Sequence, residues 1–467
     1  MENTKKKREL RLPAKASVWY VGSAAVVKLV GVITTPIFTR VLSEVEYGSF
    51  TFYMSFAAII TSTLSTVFSP AIIYKGLEKF RERKAAYIRT VYIANFVVLS
   101  TICTLLFAFH SFLGLKRYLI LILILQIGCD LTATVYEVQR RYEYDYMPVV
   151  KINLCKAVIS PVLSLILLFF ADMGYFSRVF GQLFAALIVA IPLFKKLFSV
   201  PKGEPREGLV SYAFRQSAPM LPLAVTSAVS GGADKIIMNK SLGSAALAKY
   251  SVAYTLGISL SFITGAVSSA LTPWAIRKLS QGRVDMVKKI GTVLLRGISG
   301  AALFVIALAP EALEVLAPNR YSEAVGAVLP ITLSILPSFL YTYSSIGLIH
   351  RNKAGITSVG ALGGLLINLI SNLFLIPRLG YVGGGISLLI SSVAMATVNI
   401  FFLSTHSPDV VIDSRRCSLT LALTAALGVF SVLLYEYVVP RILLLLIPLI
   451  MILRSLFEAR RYITEYT

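Results

Sequence analysis

Apolar stretches of about 20 residues recur along the whole chain, separated by short polar loops. Fourteen can be drawn: 17–39, 48–74, 87–112, 118–139, 148–170, 176–194, 213–233, 250–274, 290–309, 324–347, 354–376, 382–403, 418–435 and 442–453. Each is about the length that carries a helix across a ~30 Å hydrocarbon core. No intervening segment is large enough to fold as a water-soluble domain. The pattern predicts an all-α polytopic membrane protein whose function is built from its membrane helices.

The polar positions between the stretches divide the chain. The segment 195–212 (Lys195-Lys196 through Pro201, Lys202, Gly203, Pro205 and Gly208) is charged and rich in Pro and Gly, as a linker should be. We expect an N-terminal lobe at 1–194 with six helices and a linker at 195–212. A C-terminal lobe follows at 213–403 with six more, then two appended helices and a tail at 404–467. A shift of 200 residues brings Ile37 onto Ile237, Arg40 onto Lys240, Leu42 onto Leu242, Phe50 onto Tyr250 and Thr51 onto Ser251. That suggests a parallel repeat, of the kind secondary transporters use.

Charge orients the helices. With the N-terminus in the cytoplasm, the cytoplasmic segments hold 31 Lys+Arg and the opposite ones 10. Four more, Lys28, Lys151, Lys156 and Arg296, fall inside helices. By the positive-inside rule both termini are cytoplasmic. The net charge of +22 is thereby explained without nucleic acid. The first stretch is too long for a signal-peptide core and is expected to be retained. The four cysteines and three histidines have no metal-ligand spacing. No metal, cofactor or disulfide is expected.

Four ionisable groups lie well inside stretches: Lys28, Asp130, Lys156 and Arg296. A charge at mid-membrane is costly and is usually kept for a partner or a wet cavity. Small residues Ala24, Ala25, Gly31 and Thr35 share the face of Lys28. Asn153, Lys156, Ser160 and Ser164 make one polar stripe on the fifth stretch, and Asn368, Ser371 and Asn372 cluster on the eleventh. These faces are expected to share a polar lumen. Asp130 could pair with Lys28 or Lys156 and merely hold helices together. Three cations against one anion point instead to an anionic substrate such as a phosphate or pyrophosphate. The GxxxG at Gly360 and Gly364 and the run Gly383-Gly384-Gly385 are expected to serve helix packing. Glu311 and Glu314 are expected to be solvated loop charges.

The segment from Gly31 to Phe50, containing Pro36, Arg40, Leu42-Ser43-Glu44 and Tyr47-Gly48, resembles the first-helix signature of polysaccharide-unit flippases of the MOP exporter superfamily. Asp234-Lys235 through Leu242-Gly243, then Ala248-Lys249-Tyr250, resembles their seventh-to-eighth helix joint, with Asp-Lys where the family more often has Asp-Arg. Gln139-Arg140-Arg141 is similar to their fourth-helix end. The resemblance implies two six-helix lobes around a central cavity plus two extra helices, in the bacterial inner membrane. It implies rocker-switch flipping of a polyprenyl-pyrophosphate-linked oligosaccharide by a monomer, beside polysaccharide polymerase machinery. On that footing Lys28 and Lys156, with Asn153, would meet the pyrophosphate, and Arg296 would be a second-lobe contact. Asp130, with Asp234 and Lys235, would tune charge or carry a coupling proton. A peptidoglycan-precursor flippase and a multidrug cation antiporter are the alternatives within the superfamily. A membrane glycosyltransferase or polymerase is disfavoured, because the outer loops are short and hold no plausible pair of catalytic carboxylates.

Overall fold

The computed structural model describes residues 2–198, 208–220, 224, 226, 232–351, 353–406 and 411–464, with side chains from Trp19 onward except at 21, 219, 270, 354, 406 and 462–464. Every element among these residues is helical. Twelve helical stretches are long and apolar enough to cross a membrane. Two of them are about twice the needed length, Ala233–Ser280 and Gly355–Thr405. The second is divided at Gly380 (φ 63°, ψ −144°), between the expected eleventh and twelfth spans. The first is interrupted at Gly243 (φ 85°, ψ 174°), past the expected end of the seventh. Glycine is the residue that adopts such left-handed backbone without strain. Much of the expected seventh span (221–223, 225 and 227–231) and of the linker (199–207) lies outside the described residues.

Large apolar side chains such as Ile33, Phe112, Phe169, Phe170, Leu433 and Phe457 are more than 60% exposed. A water-soluble protein rarely carries so much apolar surface. Here it is the surface that meets lipid tails. The protein is a multi-pass membrane protein.

Two compact units divide between Ile236 and Ile237. The N-terminal unit contains α1 (Glu2–Val41), α2 (Glu44–Val67), α3 (Pro70–Lys79), α4 (Lys84–Ala108), α5 (His110–Leu113), α6 (Arg117–Tyr142), α7 (Tyr146–Ala171), α8 (Phe176–Phe198) and α9 (Leu209–Ser217). α9 joins this unit because Leu209 and Ala213 are buried in a core with Leu77, Tyr87 and Val91, and Tyr212 packs edge-on to Phe80. α2 begins at a capping box. The Glu46 N–H donates to Ser43 Oγ at 3.2 Å, and the Ser43 N–H donates to Glu46 Oε2 at 3.0 Å. Two orphan donors of the helix start are thereby satisfied. This is a physical reason for the Ser43-Glu44-Val45-Glu46 sequence.

The C-terminal unit starts within α10 (Ala233–Gly257) and continues through α11 (Ser261–Ser280), α12 (Val284–Ala307), α13 (Ala309–Leu316), α14 (Val325–His350), α15 (Ala354–His406), α16 (Ser414–Leu433), α17 (Val438–Leu444) and α18 (Leu446–Thr464). Its core is formed mainly by α11, α12 and α14, with residues of α15 and α16. The two arms of α15 fold on each other across Gly380. A Cβ at Gly360 would fall 2.8 Å from Asn399 Oδ1, and one at Gly364 would clash with Met395. Gly384 lies against Tyr250 and Gly385 against Pro330. The glycine pattern thus serves close packing, as small residues do between membrane helices.

One expectation is corrected here. Glu311 is not merely a solvated loop charge, because it pairs with Arg441, which is 2% exposed. Arg441 also donates from Nη1 to the Tyr435 carbonyl at 3.2 Å, so the charge that interrupts the approach to the last helix is satisfied. The Asn368 cluster is hydrogen-bonded within its own hairpin. Asn368 Nδ2 donates to Ser391 Oγ at 3.2 Å, and Asn372 Nδ2 donates to Asn368 Oδ1 at 2.9 Å. The sequence pattern places these amides on one face, and the returning arm brings Ser391 to meet it.

Candidate functional site in the N-terminal unit

A cavity of about 390 Å³ lies among α1, α2, α6, α7 and α8. Helix periodicity explains its walls. α1 contributes Val27, Gly31, Thr34 and Phe38, and α7 contributes Asn153, Lys156, Ser160 and Ser164, each set on one helix face. α6 adds Gln126 and Asp130, one turn apart, and α8 adds Arg178 and Gln182 at the same spacing. The polar stripe on α7 therefore lines a single cavity with the carboxylate of α6.

α7 and α8 come close enough to shape this cavity because of Gly181. A Cβ there would lie 2.7 Å from the Ser164 nitrogen and 2.9 Å from the Ser160 carbonyl oxygen. Both are backbone atoms and cannot swing aside.

Two contacts fix the relative level of α6 and α8. The rings of Tyr118 and Phe176, near the starts of the two helices, are 5.9 Å apart. Further along, Gln126 Nε2 donates to Gln182 Oε1 at 3.2 Å. The helices therefore run parallel and in step. Gln126 also accepts from the buried Tyr53 hydroxyl at 2.7 Å, which locks its amide. From this glutamine pair Arg178 lies one turn back along α8, and Asp130 lies one turn forward along α6. At ~1.5 Å rise per residue they are separated by about 12 Å of depth. The cavity thus holds a vertical file: Arg178, then Gln182 and Gln126, then Asp130 with Lys156.

The charges in that file differ in kind. Lys156 Nζ donates to Asp130 Oδ1, each side chain about 30% exposed. This pair is internally neutral. Arg178 is half-buried, and no described carboxylate lies within ion-pair distance of it. Its guanidinium centre lies 3.9 Å from the centre of the Phe50 ring, 4.3 Å from that of Phe38 and 5.6 Å from that of Tyr47. All are within the range of a cation–π contact. Among the described lining residues, the cavity carries one net positive charge, and Arg178 supplies it.

The other expected site residues lie elsewhere. Lys28 is exposed on α1, next to the lining residue Val27 but not itself among the lining residues. Arg296 reaches Glu458 of α18, with Nη1 3.1 and 3.2 Å from the two carboxylate oxygens. Asp234, 8% exposed, and the half-buried Lys235 occupy the first turn of α10, where an acid complements the helix dipole. Asn153, Lys156 and Asp130 are brought together; Lys28, Asp234 and Lys235 are not among the residues lining this cavity, and Arg296 belongs to the C-terminal unit. The count of three buried cations against one anion changes accordingly, because Glu458 sits on a helix that runs past the expected end of the last span.

Sequence reasoning passed over Arg178, Gln126, Gln182 and Tyr53. The signal was available in Phe38, Tyr47 and Phe50, three aromatics within the Gly31–Phe50 segment, but pairing them with a cation 128 residues beyond Phe50 takes the fold.

Residues 14–278 match the family model described as "Polysaccharide biosynthesis protein". The chain belongs to this family. No curated protein matches it significantly in sequence. Among solved structures, the lipid II flippase MurJ in an inward closed conformation is similar with a TM-score of 0.73 at 13% identity, over 96% of this chain and 99% of that one. An inward-facing multidrug resistance MATE family transporter of the MOP superfamily follows with a TM-score of 0.55 at 13% identity, over 85% and 98%. A MOP superfamily transporter from Pyrococcus furiosus gives 0.57 at 13% identity, over 88% and 96%. The family member described here therefore has a MurJ-like fold of fourteen spans, to which the other two transporters are less similar.

Proposed function

We propose that the protein is a flippase that moves a polyprenyl-pyrophosphate-linked oligosaccharide across the bacterial inner membrane for surface polysaccharide synthesis. The family supports the pathway, and the fold supports transport rather than catalysis. The observation that carries the reading is the N-terminal cavity. It joins a net positive charge to a file of amides and hydroxyls, which suits a phosphate group bearing sugars. Asn153 and Lys156 would meet the head group, with Asp130 setting the charge of Lys156. Lys28 stands beside the wall on α1. Arg296, bound to Glu458, would act in holding α18. The charge bias supports a cytoplasmic position for both termini. Rocker-switch exchange would expose the cavity to each side in turn, in a monomer that works beside polymerase machinery.

A cation antiporter is disfavoured. Among the described lining residues Asp130 is the one carboxylate, and Lys156 already occupies it.

The test is flipping in proteoliposomes. A labelled polyprenyl-pyrophosphate oligosaccharide is loaded and its exposure to a membrane-impermeant enzyme followed. Protein-dependent exposure is expected. Exposure of a peptidoglycan precursor alone would transfer the reading to that substrate. No exposure with several sugar units, alongside uptake of a cationic dye, would overturn it.

A further inference from the structure

We propose that Arg178, packed against Phe38 and Phe50, is the oxyanion-binding residue of the N-terminal cavity. Lys156, the obvious cation by sequence, already holds Asp130 and would meet the head group as a hydrogen-bond donor, not as its counter-charge. The identity of the anion's carrier rests on the transport reading above; the site itself rests on geometry.

Three observations carry the assignment. First, Lys156 is already neutralised. An anion approaching it must either displace Asp130 or sit beside its negative charge. Second, Arg178 lines the same cavity, and no described carboxylate lies within ion-pair distance of it. A half-buried guanidinium without a counter-charge is costly, and cation–π contacts recover only part of that cost. Third, the aromatic rings lie against the guanidinium at 3.9 and 4.3 Å from their centres, and rings stack on its apolar faces. One of its N–H groups is taken by the Tyr47 hydroxyl, and the remaining donors of the in-plane edge are left for a ligand. That edge presents parallel donors whose natural acceptor is a bidentate oxyanion. The glutamine pair one turn along supplies neutral polar contacts for whatever the anion carries.

A phosphate and a carboxylate would both satisfy this edge. The oxyanion could be the pyrophosphate of the carrier lipid or a uronic acid in its sugar unit.

The experiment uses the full-length protein in detergent. Arg178 is modified with phenylglyoxal and read by peptide mass mapping, with and without inorganic pyrophosphate or glucuronate. Protection by pyrophosphate alone is expected and identifies the phosphate source. Protection by glucuronate alone supports the same site with an acidic-sugar source. No protection by either, in protein that flips its substrate, overturns the proposal. Protection in protein that flips nothing would leave the anion site standing and remove the transport reading.

In parallel, Arg178→Met keeps length and packing against the rings, and Arg178→Lys keeps charge without the fork. Pyrophosphate binding should weaken about tenfold or more in Arg178→Met and by less in Arg178→Lys. Lys151→Gln, exposed on α7, controls for general loss of positive charge and should bind as wild type. Equal binding in Arg178→Met and wild type would overturn the proposal. Because protection is read on the wild-type protein, poor folding of a variant cannot rescue it.

Discussion

Arg296 of α12 holds Glu458 of α18 in a two-oxygen contact, and Arg454 Nε shares the same carboxylate at 2.9 Å. Around this pair the two helices are tightly apposed. Ser455 Oγ donates to the Val293 carbonyl at 2.7 Å, and a Cβ at Gly300 would lie 2.8 Å from the Pro448 carbonyl oxygen. Glu458→Gln should lower stability by about 1–3 kcal/mol, between the values for exposed and buried pairs. Thermal unfolding in detergent checks it. The swap of Arg296→Glu with Glu458→Arg should recover part of the loss; no recovery would mean the pair contributes nothing as a pair.

Asp130 and Lys156 should behave as a unit. Removing one partner leaves the other unneutralised in a membrane cavity, whereas removing both leaves neither charge. Asp130→Asn should therefore destabilise more than Asp130→Asn combined with Lys156→Met. A melting series of the two singles and the double measures the coupling. An additive result would show that the contact carries no interaction energy.

Gln126 anchors a chain of three side chains. Gln126→Leu would leave the fully buried Tyr53 hydroxyl without its acceptor, at about 1–3 kcal/mol. Adding Tyr53→Phe should restore most of that stability, because no polar atom then remains orphaned. Failure of the second substitution to help would place the cost in packing instead.

Gly181→Ala tests the α7–α8 approach. With backbone atoms at 2.7 and 2.9 Å from the added carbon, the helices must separate, at about 1–3 kcal/mol. The same separation should change the reactivity of a cysteine placed at Ser160 in the cavity wall. Unchanged melting and unchanged reactivity would show that the contact is loose.

The fold was legible in the sequence where hydrophobic length decides it. The spacing of apolar stretches leads to the fourteen-span fold because a bilayer imposes that length on every helix. The site was legible where one helix carries its whole pattern, as with Asn153, Lys156, Ser160 and Ser164. It was hidden where two distant elements must meet. Phe38 and Phe50 look like ordinary membrane aromatics until Arg178 is set against them. Asn368 looks unpaired until Ser391 of the returning arm is set against it. Arg296 looks unpaired until α18 is seen to continue to Glu458. Composition and period describe a helix face, but the partner across from it is a property of topology.

The parallel alignment of α6 and α8 has a consequence for how this cavity tolerates change. Its file depends on angular phase. Inserting a single alanine between Arg178 and Gln182 would rotate the rest of α8 by about 100°. Length, hydropathy and residue content would be almost untouched, yet Gln182 would turn away from Gln126. Homologous chains can therefore drift widely in their lipid-facing residues while the stagger between these two helices stays fixed. Insertions and deletions here should concentrate in the loops, where a slip of phase costs nothing.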